Sequence, residues 1–390
     1  MNFGINGEKM SKEQYSYWMA LAHLPRWRTD RINRLIVEIL KNCKLTLSDF
    51  FGLNKSDWSI EFDFNSKELN DIEAAKKELP SYSFLVEDLL NQGFNLIPIN
   101  SEEYPLTLKS NLKLNQSPPL LYVKGNKQIL QENSIAVVGS RKADKISLQF
   151  TDNIAKLASE QYKVVVSGFA KGVDKQALES ALKYKGQSII VLPQGILTFG
   201  SGIKKYYKQI IEGDVLIVSN YHPKANWAVG LAMARNKIIY GLAKEIYVAQ
   251  SDNKGGTWSG VIDGIRKNRE IYIRKPDSNE KNANDLLISK GAIPIDLFGK
   301  KIIMNNNKDQ LNIESEQIPL EKDIINIISN NCYTSKQIIN LLKINWTSRK
   351  MTNLLRSIEN IKVINKKPLK FTLKENESEN EQMSIFENMN

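Results

Sequence analysis

Short apolar runs alternate with longer amphipathic stretches between residues 94 and 274. Runs of Val, Ile and Leu without polar alternation predict strands that are buried on both faces, and helical spacing separates many of them. This alternation predicts an α/β fold with a doubly wound, Rossmann-like parallel sheet. The predicted strands lie at 94–99, 120–125, 134–139, 162–168, 187–193, 214–219, 245–250 and 269–274, and the predicted helices at 145–160, 173–185, 202–212, 227–243 and 257–267.

Different patterns flank this region. Apolar residues at helical spacing over 11–45 predict a small helical N-terminal domain, in which Thr29 or Asp30 caps the second helix. After a polar, aperiodic stretch, two or three helical patterns precede a strand-turn-strand with Lys366 and Lys367 at its tip, which predicts a winged helix with Thr334 and Thr347 as helix caps. A winged helix binds either DNA or protein, and the sequence leaves both open. The predicted segments are a helical domain at 1–78, a Rossmann-like domain at 79–299, a linker at 300–316, a winged helix at 317–373 and an acidic tail at 374–390.

Composition and charge narrow the class of protein. The 390 residues are 42% hydrophobic and 25% charged, as in a soluble globular protein. No apolar stretch has membrane-spanning length, and the N-terminus lacks the apolar core of a signal peptide, so we expect a cytoplasmic protein without a membrane partner. Cys43 and Cys332 lie in separate predicted domains, which argues against a disulfide framework or a thiolate zinc site. With only two histidines, His23 and His222, we assign no metal, and His23 is expected to be a packing residue.

The positive charge favours a polyanionic partner. The net charge is +11, although the tail from Glu375 onward holds five glutamates and no lysine or arginine. The remaining residues therefore have a net charge of +16. The alternative is a lysine-rich composition without functional meaning. Only the placement of the charges along the chain can distinguish this from a polyanionic partner.

Cations and glycines follow several of the predicted strands. In "IAVVGSRKAD", residues 135–144, a buried strand stops at Gly139 and is followed by Ser140, Arg141 and Lys142. Ligands of doubly wound sheets bind beyond the carboxyl ends of the strands, where glycines and helix N-termini present N–H groups to phosphate. None of these loops matches GxGxxG or GxxxxGK[ST], so a dehydrogenase or a P-loop ATPase is disfavoured and no cofactor is assigned. Two other loops also combine glycines with a cation and are predicted to bind phosphate: "SGFAKGVD" (167–174) and "KGGTW" (254–258).

Motifs over residues 94–294 resemble the DNA-processing protein A family, also called Smf. The resemblance implies an extended Rossmann fold with a SAM-like or helix-hairpin-helix-like N-terminal domain and a C-terminal winged helix. It also implies that the chain binds and protects single-stranded DNA during natural transformation or recombination, assists loading of the RecA recombinase and forms a homodimer. The motifs are "YPLTLKS" (104–110), "PPLLYVKGN" (118–126), "VVGSR", "VVSGFAKGVDKQALESAL", "ARNKIIYGL" and "KGAIPID".

By motif match, the DNA-contacting arginine and basic residue of the family are Arg141 and Lys171. The chain departs from the family pattern at Ala177-Leu178, at "GILTFGSG" (195–202) and at "KGGTWSG", so a role outside transformation stays open. Phe169 is a candidate for stacking on a base, with Tyr206, Tyr207 and Trp258 as further candidates, although we prefer a core position for Phe169. The predicted DNA-binding residues are Gly139, Ser140, Arg141, Lys142, Ser167, Gly168, Phe169, Lys171, Gly172, Arg235, Asn236, Lys237, Lys254, Gly255, Gly256 and Thr257.

A nucleotide sensor or a phosphoribohydrolase-like enzyme is the alternative on the same fold. "KGGTWSGVID" resembles half of the hydrolase motif, but Asp263 stands there without the expected glutamate. Asp174 is the other candidate carboxylate, and capping or bonding within the glycine loop is its preferred role. We therefore assign no catalytic residue.

A five-residue peptide in the acidic tail is a candidate for binding a partner protein. "QMSIF" resembles the Qxx[LI]F peptide that docks replication proteins on the sliding clamp, with Gln382, Ile385 and Phe386 as anchors. Five-residue matches arise readily by chance, so an ordinary polar tail is the preferred interpretation.

Overall fold

The computed structural model describes residues 10–302, 321–329, 331–344, 346–358, 361–366 and 369–373. The described residues up to 302 belong to one compact unit, and those from 321 onward belong to a second. Most of the predicted linker and the whole acidic tail, with Gln382, Ile385 and Phe386, lie outside the described residues. Over the described ranges, no helix has the length and apolar character needed to cross a membrane.

The first unit contains fourteen α-helices over its described residues. A π-helical turn (Glu38–Asn42) follows the second of them. The helices are α1 (Lys12–Ala22), α2 (Thr29–Val37), α3 (Leu47–Gly52), α4 (Lys55–Glu61), α5 (Ser66–Lys77), α6 (Leu79–Asn91), α7 (Leu106–Gln116), α8 (Lys145–Glu160), α9 (Val173–Lys183), α10 (Gly200–Lys205), α11 (Tyr207–Glu212), α12 (Val229–Leu242), α13 (Gly256–Arg266) and α14 (Asn284–Ile288).

Helix α2 begins without the predicted cap. Its N-cap is Arg28, which makes no side-chain capping bond, so the prediction that Thr29 or Asp30 caps this helix is wrong. The carboxylate of Asp30 instead pairs with Arg28 at 3.1 Å and with Arg34 at 3.0 Å. Two guanidinium groups thus engage the oxygen atoms that a cap would use.

Nine strands form one mixed sheet in the order β1-β2-β6-β5-β4-β3-β7-β8-β9. The seven strands from β6 to β9 are parallel, as predicted, whereas β1 and β2 are antiparallel additions at one edge. Apolar runs do not encode strand direction, which explains this difference. The strands are β1 (Asn95–Pro98), β2 (Leu120–Lys124), β3 (Ser134–Val138), β4 (Val164–Ser167), β5 (Ser188–Val191), β6 (Val215–Ser219), β7 (Glu245–Val248), β8 (Ile271–Arg274) and the unpredicted, three-residue β9 (Ile293–Ile295).

Successive residues of the central strands face two separate hydrophobic layers. In β3, Ile135 and Val137 pack with α8 and α9, and Ala136 and Val138 pack with the layer that contains α12. This second layer is continuous with the buried side chains of the N-terminal helices, including Trp18. The N-terminal helices are therefore part of the first compact unit.

Both histidines of the chain lie where the N-terminal helices meet the sheet. The Nε2 atom of His23 is 2.7 Å from the hydroxyl oxygen of Tyr122 in β2, and the ring of His222 contacts His23 edge-on at 5.2 Å. Burial, with a smaller contribution from the charge of His222, lowers the pKa of His23 to about 3. His23 is therefore a neutral packing residue.

This contact predicts a loss of stability in acid. His23 takes up a proton near pH 6.5 in the unfolded chain but only near pH 3 in the folded chain. The folded state therefore loses stability as the pH falls from about 6.5 to about 3. We expect the free energy of unfolding, measured with urea at pH 7 and pH 4, to fall by about 2–3 kcal/mol more in the wild type than in His23→Gln. The glutamine keeps a polar partner for Tyr122 but cannot titrate. Equal losses in the two proteins would contradict this account.

The second unit has its own order of elements and its own core. It comprises helices α15 (Glu321–Ile328), α16 (Ser335–Leu342) and α17 (Ser348–Ser357) and strands β10 (Tyr333–Thr334), β11 (Ile361–Lys366) and β12 (Leu369–Leu373), and its sheet has the order β10-β12-β11. Thr334 caps α16 in a capping box with Gln337, as expected. Lys367, predicted at the turn after β11, lies outside the described residues.

Replacement of Phe371 by alanine should destabilise the second unit. Phe371 is 0% exposed at the centre of its core, so we expect a loss of about 3–4 kcal/mol. Hydrogen exchange of residues 321–373 provides the measurement. Leu341→Ala, at a position that is 54% exposed, is the matched control and should change exchange little. Equal effects of the two substitutions would rule out the described core.

Candidate functional site

The predicted site lies where the strand order of the parallel sheet reverses. From β3, the chain adds β4, β5 and β6 on one side and then returns to place β7 on the other side of β3. The loops that follow β3 and β7 border the crevice in which doubly wound sheets bind their ligands. These loops hold the predicted residues 139–142 and 254–257, and the loop after neighbouring β4 holds 168–172.

Backbone hydrogen bonds join the loops into one surface. The N–H of Ser140 donates to the carbonyl oxygen of Gln250 at 2.9 Å, and the N–H of Val173 donates to the carbonyl oxygen of Ser140 at 3.3 Å. The side-chain oxygen of Gln250 also accepts from the N–H of Asp144 at 3.0 Å. The loops after β3, β4 and β7 thus have fixed positions relative to one another.

Two glycines permit this close approach. Gly172 has a φ of +78°, and a Cβ atom there would lie 2.4 Å from the carbonyl oxygen of Ser140. At Gly139, a Cβ atom would lie 2.6 Å from the side chain of Val173. Only glycine fits at these positions, and the contact places Arg141 and Lys171 on adjoining loops.

Four exposed cations lie on these loops: Arg141, Lys142, Lys171 and Lys254. Within the described part of the chain, no carboxylate lies within 4.0 Å of any of them. Exposed cations without a carboxylate partner attract an anion.

The helix N-termini at this edge differ in their availability. The carboxylate of Asp144 caps α8 by accepting a hydrogen bond from the N–H of Ser147 at 2.7 Å. Helix α13 begins after Gly255, at a φ of +95°, without a side-chain cap and next to exposed Lys254. The N-terminus of α13 can therefore accept an anion, whereas the N-terminus of α8 is already occupied by the carboxylate of Asp144.

Arg235 and Ser167 do not lie on the surface that the sequence predicted. Arg235 is only 3% exposed, and its Nη1 donates to the carbonyl oxygen of Val191 at 3.1 Å. Arg235 belongs to the buried face of α12, which also contains Ile238, Ile239 and Leu242 at helical spacing. Its side chain is therefore neither on a solvated helix face nor exposed to a phosphate.

The hydroxyl group of Ser167 is also directed away from solvent. Ser167 is 2% exposed and donates to the carbonyl oxygen of Val137 at 3.1 Å. Its one hydroxyl proton is therefore already used within the sheet and is not available to a phosphate.

A buried ion pair supports the glycine loop from below. The Nη1 atom of Arg235 is 3.9 Å from the carboxylate of Asp174, and a Cβ atom on Gly168 would overlap this guanidinium group. The backbone N–H groups of Ala170 and Gly168 also favour the charged form of Asp174. Burial raises the pKa of Asp174, although the charges of Arg235 and Arg141 oppose this shift. These contacts agree with a structural role for Asp174, although its charged partner, Arg235, lies outside the glycine loop.

Asn236 and Lys237 face a different region from Arg235. Asn236 is half-buried and lies close to Gly256. A Cβ atom added to Gly256 would lie 2.5 Å from the side-chain nitrogen of Asn236. Lys237 is exposed, and both residues line a groove of about 260 Å³ between α7, α12 and α13. The three consecutive residues therefore do not form one contact surface.

Phe169 belongs to a cluster of aromatic side chains. Its ring packs edge-on against Phe199 at 5.1 Å and Tyr206 at 5.8 Å, and it is half-buried. This agrees with the preferred core position and leaves little of the ring for stacking on a base. Tyr207, which is 60% exposed, and half-buried Trp258 lie outside this cluster.

A double-mutant cycle tests the buried ion pair. Asp174→Ala leaves the charge of Arg235 buried without its partner, and Arg235→Met does the same to Asp174, so we expect each to cost about 3 kcal/mol in urea denaturation. The double variant should lose clearly less than the sum of the single losses, because neither charge remains. Additive losses would show that the two residues act independently.

Comparisons with known proteins agree with this architecture. The family model described as DNA recombination-mediator protein A matches residues 95–305, more than half of the chain. The DNA processing protein DprA of Streptococcus pneumoniae is 30% identical over 181 residues, which cover 46% of this chain and 63% of that protein. The chain thus matches less than two thirds of the length of this relative.

Solved structures are similar as well. The crystal structure of DNA processing protein A from Streptococcus pneumoniae, at 23% identity, has a TM-score of 0.53 and covers 74% of this chain and 95% of that chain, which shows a shared fold. A structure of DNA processing protein A from Helicobacter pylori, described for its mode of binding single-stranded DNA, is 24% identical with a TM-score of 0.44 and covers 52% of this chain and 90% of that chain.

Proposed function

We propose that this chain, which belongs to the DNA recombination-mediator protein A family, binds single-stranded DNA along the carboxyl edge of its sheet. The observation that supports this most directly is the set of four exposed, unpaired cations on one hydrogen-bonded backbone surface. Single strands are held by basic grooves that follow the sugar-phosphate backbone. The cations lie on three successive loops, which suits a ligand with phosphates at regular intervals.

The geometry favours a nucleic-acid backbone over a dinucleotide cofactor. In dinucleotide-binding folds, the pyrophosphate occupies the N-terminus of the helix after the first strand of the motif. The corresponding helix here is α8, whose N-terminus already holds the carboxylate of Asp144. In addition, Gly139 is followed by Arg141 and Lys142 instead of further glycines. Phosphates would therefore lie over Arg141, Lys171 and the free N-terminus of α13.

Recognition at this site should depend little on base sequence. The candidate for base stacking within the basic loop, Phe169, packs against Phe199 and Tyr206. Contacts to phosphates carry no sequence information, so the site would accept strands of different sequence.

We propose binding without catalysis. The candidate carboxylate Asp263 is 54% exposed and pairs with Lys267 at 2.8 Å in the later part of α13. Asp174 is buried and paired with Arg235. Release of free base from nucleoside monophosphates that is abolished by Asp263→Asn would overturn this part of the proposal and favour the hydrolase.

We extend the proposal to the wider role of the family. The chain would protect single-stranded DNA, assist loading of the RecA recombinase and act in the cytoplasm as a homodimer formed through the Rossmann core. Family membership alone supports these points.

Removal of either central cation should weaken DNA binding. We expect Arg141→Ala and Lys171→Ala each to lower affinity for an oligothymidine by about tenfold at low salt and to reduce the slope of log affinity against log salt by about one, because each removes one phosphate contact. Fluorescence anisotropy between about 50 and 200 mM salt, with single-stranded and duplex DNA of equal length, measures both quantities.

The control for these variants is Lys290→Ala, which removes an exposed lysine after α14. It should leave affinity and salt dependence near the wild-type values. Wild-type binding by both Arg141→Ala and Lys171→Ala would place the DNA site elsewhere.

A further inference from the structure

The second unit contains much of the positive charge of the chain. Residues 317–373 include ten lysines and arginines but only three acidic residues, a net charge of +7, whereas the complete chain has +11. Two of the three acidic residues, Glu321 and Asp323, belong to α15. The elements after α15 are therefore strongly basic, which favours a polyanionic partner for this unit as well.

The order of elements in this unit is that of a winged helix. Helix α15 is followed by the short strand β10, the helix pair α16 and α17, and the antiparallel pair β11 and β12. Helices α16 and α17 are joined by residues 343–347, so they form a helix-turn-helix. In such units, the second helix enters the major groove of duplex DNA.

Opposite faces of α17 have different chemistry. Met351 and Leu355 of α17, and Ile358 directly after its last residue, are spaced by four and three residues and are buried in the core of the unit. Arg349, Asn353 and Arg356 have the same spacing and are exposed. At 100° per residue, the two sets lie about 200° apart, so packing against the core directs the polar set to solvent.

The exposed face of α17 has the side chains that duplex DNA requires. Arginine pairs with guanine and asparagine with adenine in the major groove. None of the ion pairs found among the described residues involves Arg349 or Arg356. Lys336 on α16 and Lys362 on β11 are also exposed and could meet the phosphates on either side. Ten residues of helix span about 15 Å, which is the length of about four base pairs.

We infer that the second unit is a winged helix that binds duplex DNA by inserting α17, through Arg349, Asn353 and Arg356, into the major groove. This site belongs to the second unit, and the inference does not depend on the function proposed for the carboxyl edge of the sheet. The competing partner is a protein, for which the exposed apolar residues Val363 and Ile364 of β11 would be the docking surface. Charge and the exposed face of α17 favour DNA.

The test uses the 390-residue chain with Arg349→Gln and Arg356→Gln combined. Both side chains are exposed, so the fold should be retained, and an unchanged thermal transition would verify this. Lys41→Gln combined with Lys67→Gln removes the same charge from exposed positions of the N-terminal helices and is the matched control. Affinity is measured by anisotropy with a labelled duplex and with an oligothymidine.

We expect the α17 double variant to bind the duplex at least about tenfold more weakly than the control, with little change for the oligothymidine. Arg141→Ala should show the reverse pattern, so failure of one site can be distinguished from failure of the other. Duplex affinity of the α17 variant equal to that of the control would overturn the inference. Absence of duplex binding by the wild-type chain would also overturn it and would favour a protein partner.

Discussion

The candidate site depends on the close approach of two loops at Gly172. The backbone of Gly172 lies so near the carbonyl oxygen of Ser140 that no side chain fits between them. This contact, together with the hydrogen bond from Val173 to Ser140, holds the loops after β3 and β4 edge to edge. Arg141 and Lys171 are far apart in sequence, and they become neighbours on one surface because this approach is possible.

Burial decides which charges of the site support the fold and which remain free. Arg235 and Asp174 lie beneath the glycine loop, where the loss of hydration is offset by their mutual attraction and by the hydrogen bond from Arg235 to the carbonyl oxygen of Val191. Arg141 and Lys171 lie above the same loop and keep their hydration. An anion that displaces this water would meet cations that have no carboxylate within 4.0 Å among the described residues.

Sequence patterns predicted the parallel strands because short apolar runs such as "IAVVG" alternate with helical patterns. They did not predict the antiparallel direction of β1 and β2 or the short β9, since three residues with a central proline give no periodic signal. The exposed cations of the site followed from their positions after strands. The ion pair of Arg235 with Asp174 could not be predicted in this way, because only the folded sheet brings these two residues together. Its one signal was the alignment of Arg235 with the apolar face of α12.

The central claim is that phosphates of a single strand lie over the loops that Gly172 brings together. A crystal structure of the chain with a short oligothymidine tests this most directly. We predict phosphate oxygens within about 3 Å of the Arg141 guanidinium group, with the strand continuing past Lys171 or the N-terminus of α13. A strand bound only in the groove between α7, α12 and α13, or only to the second unit, would contradict the account.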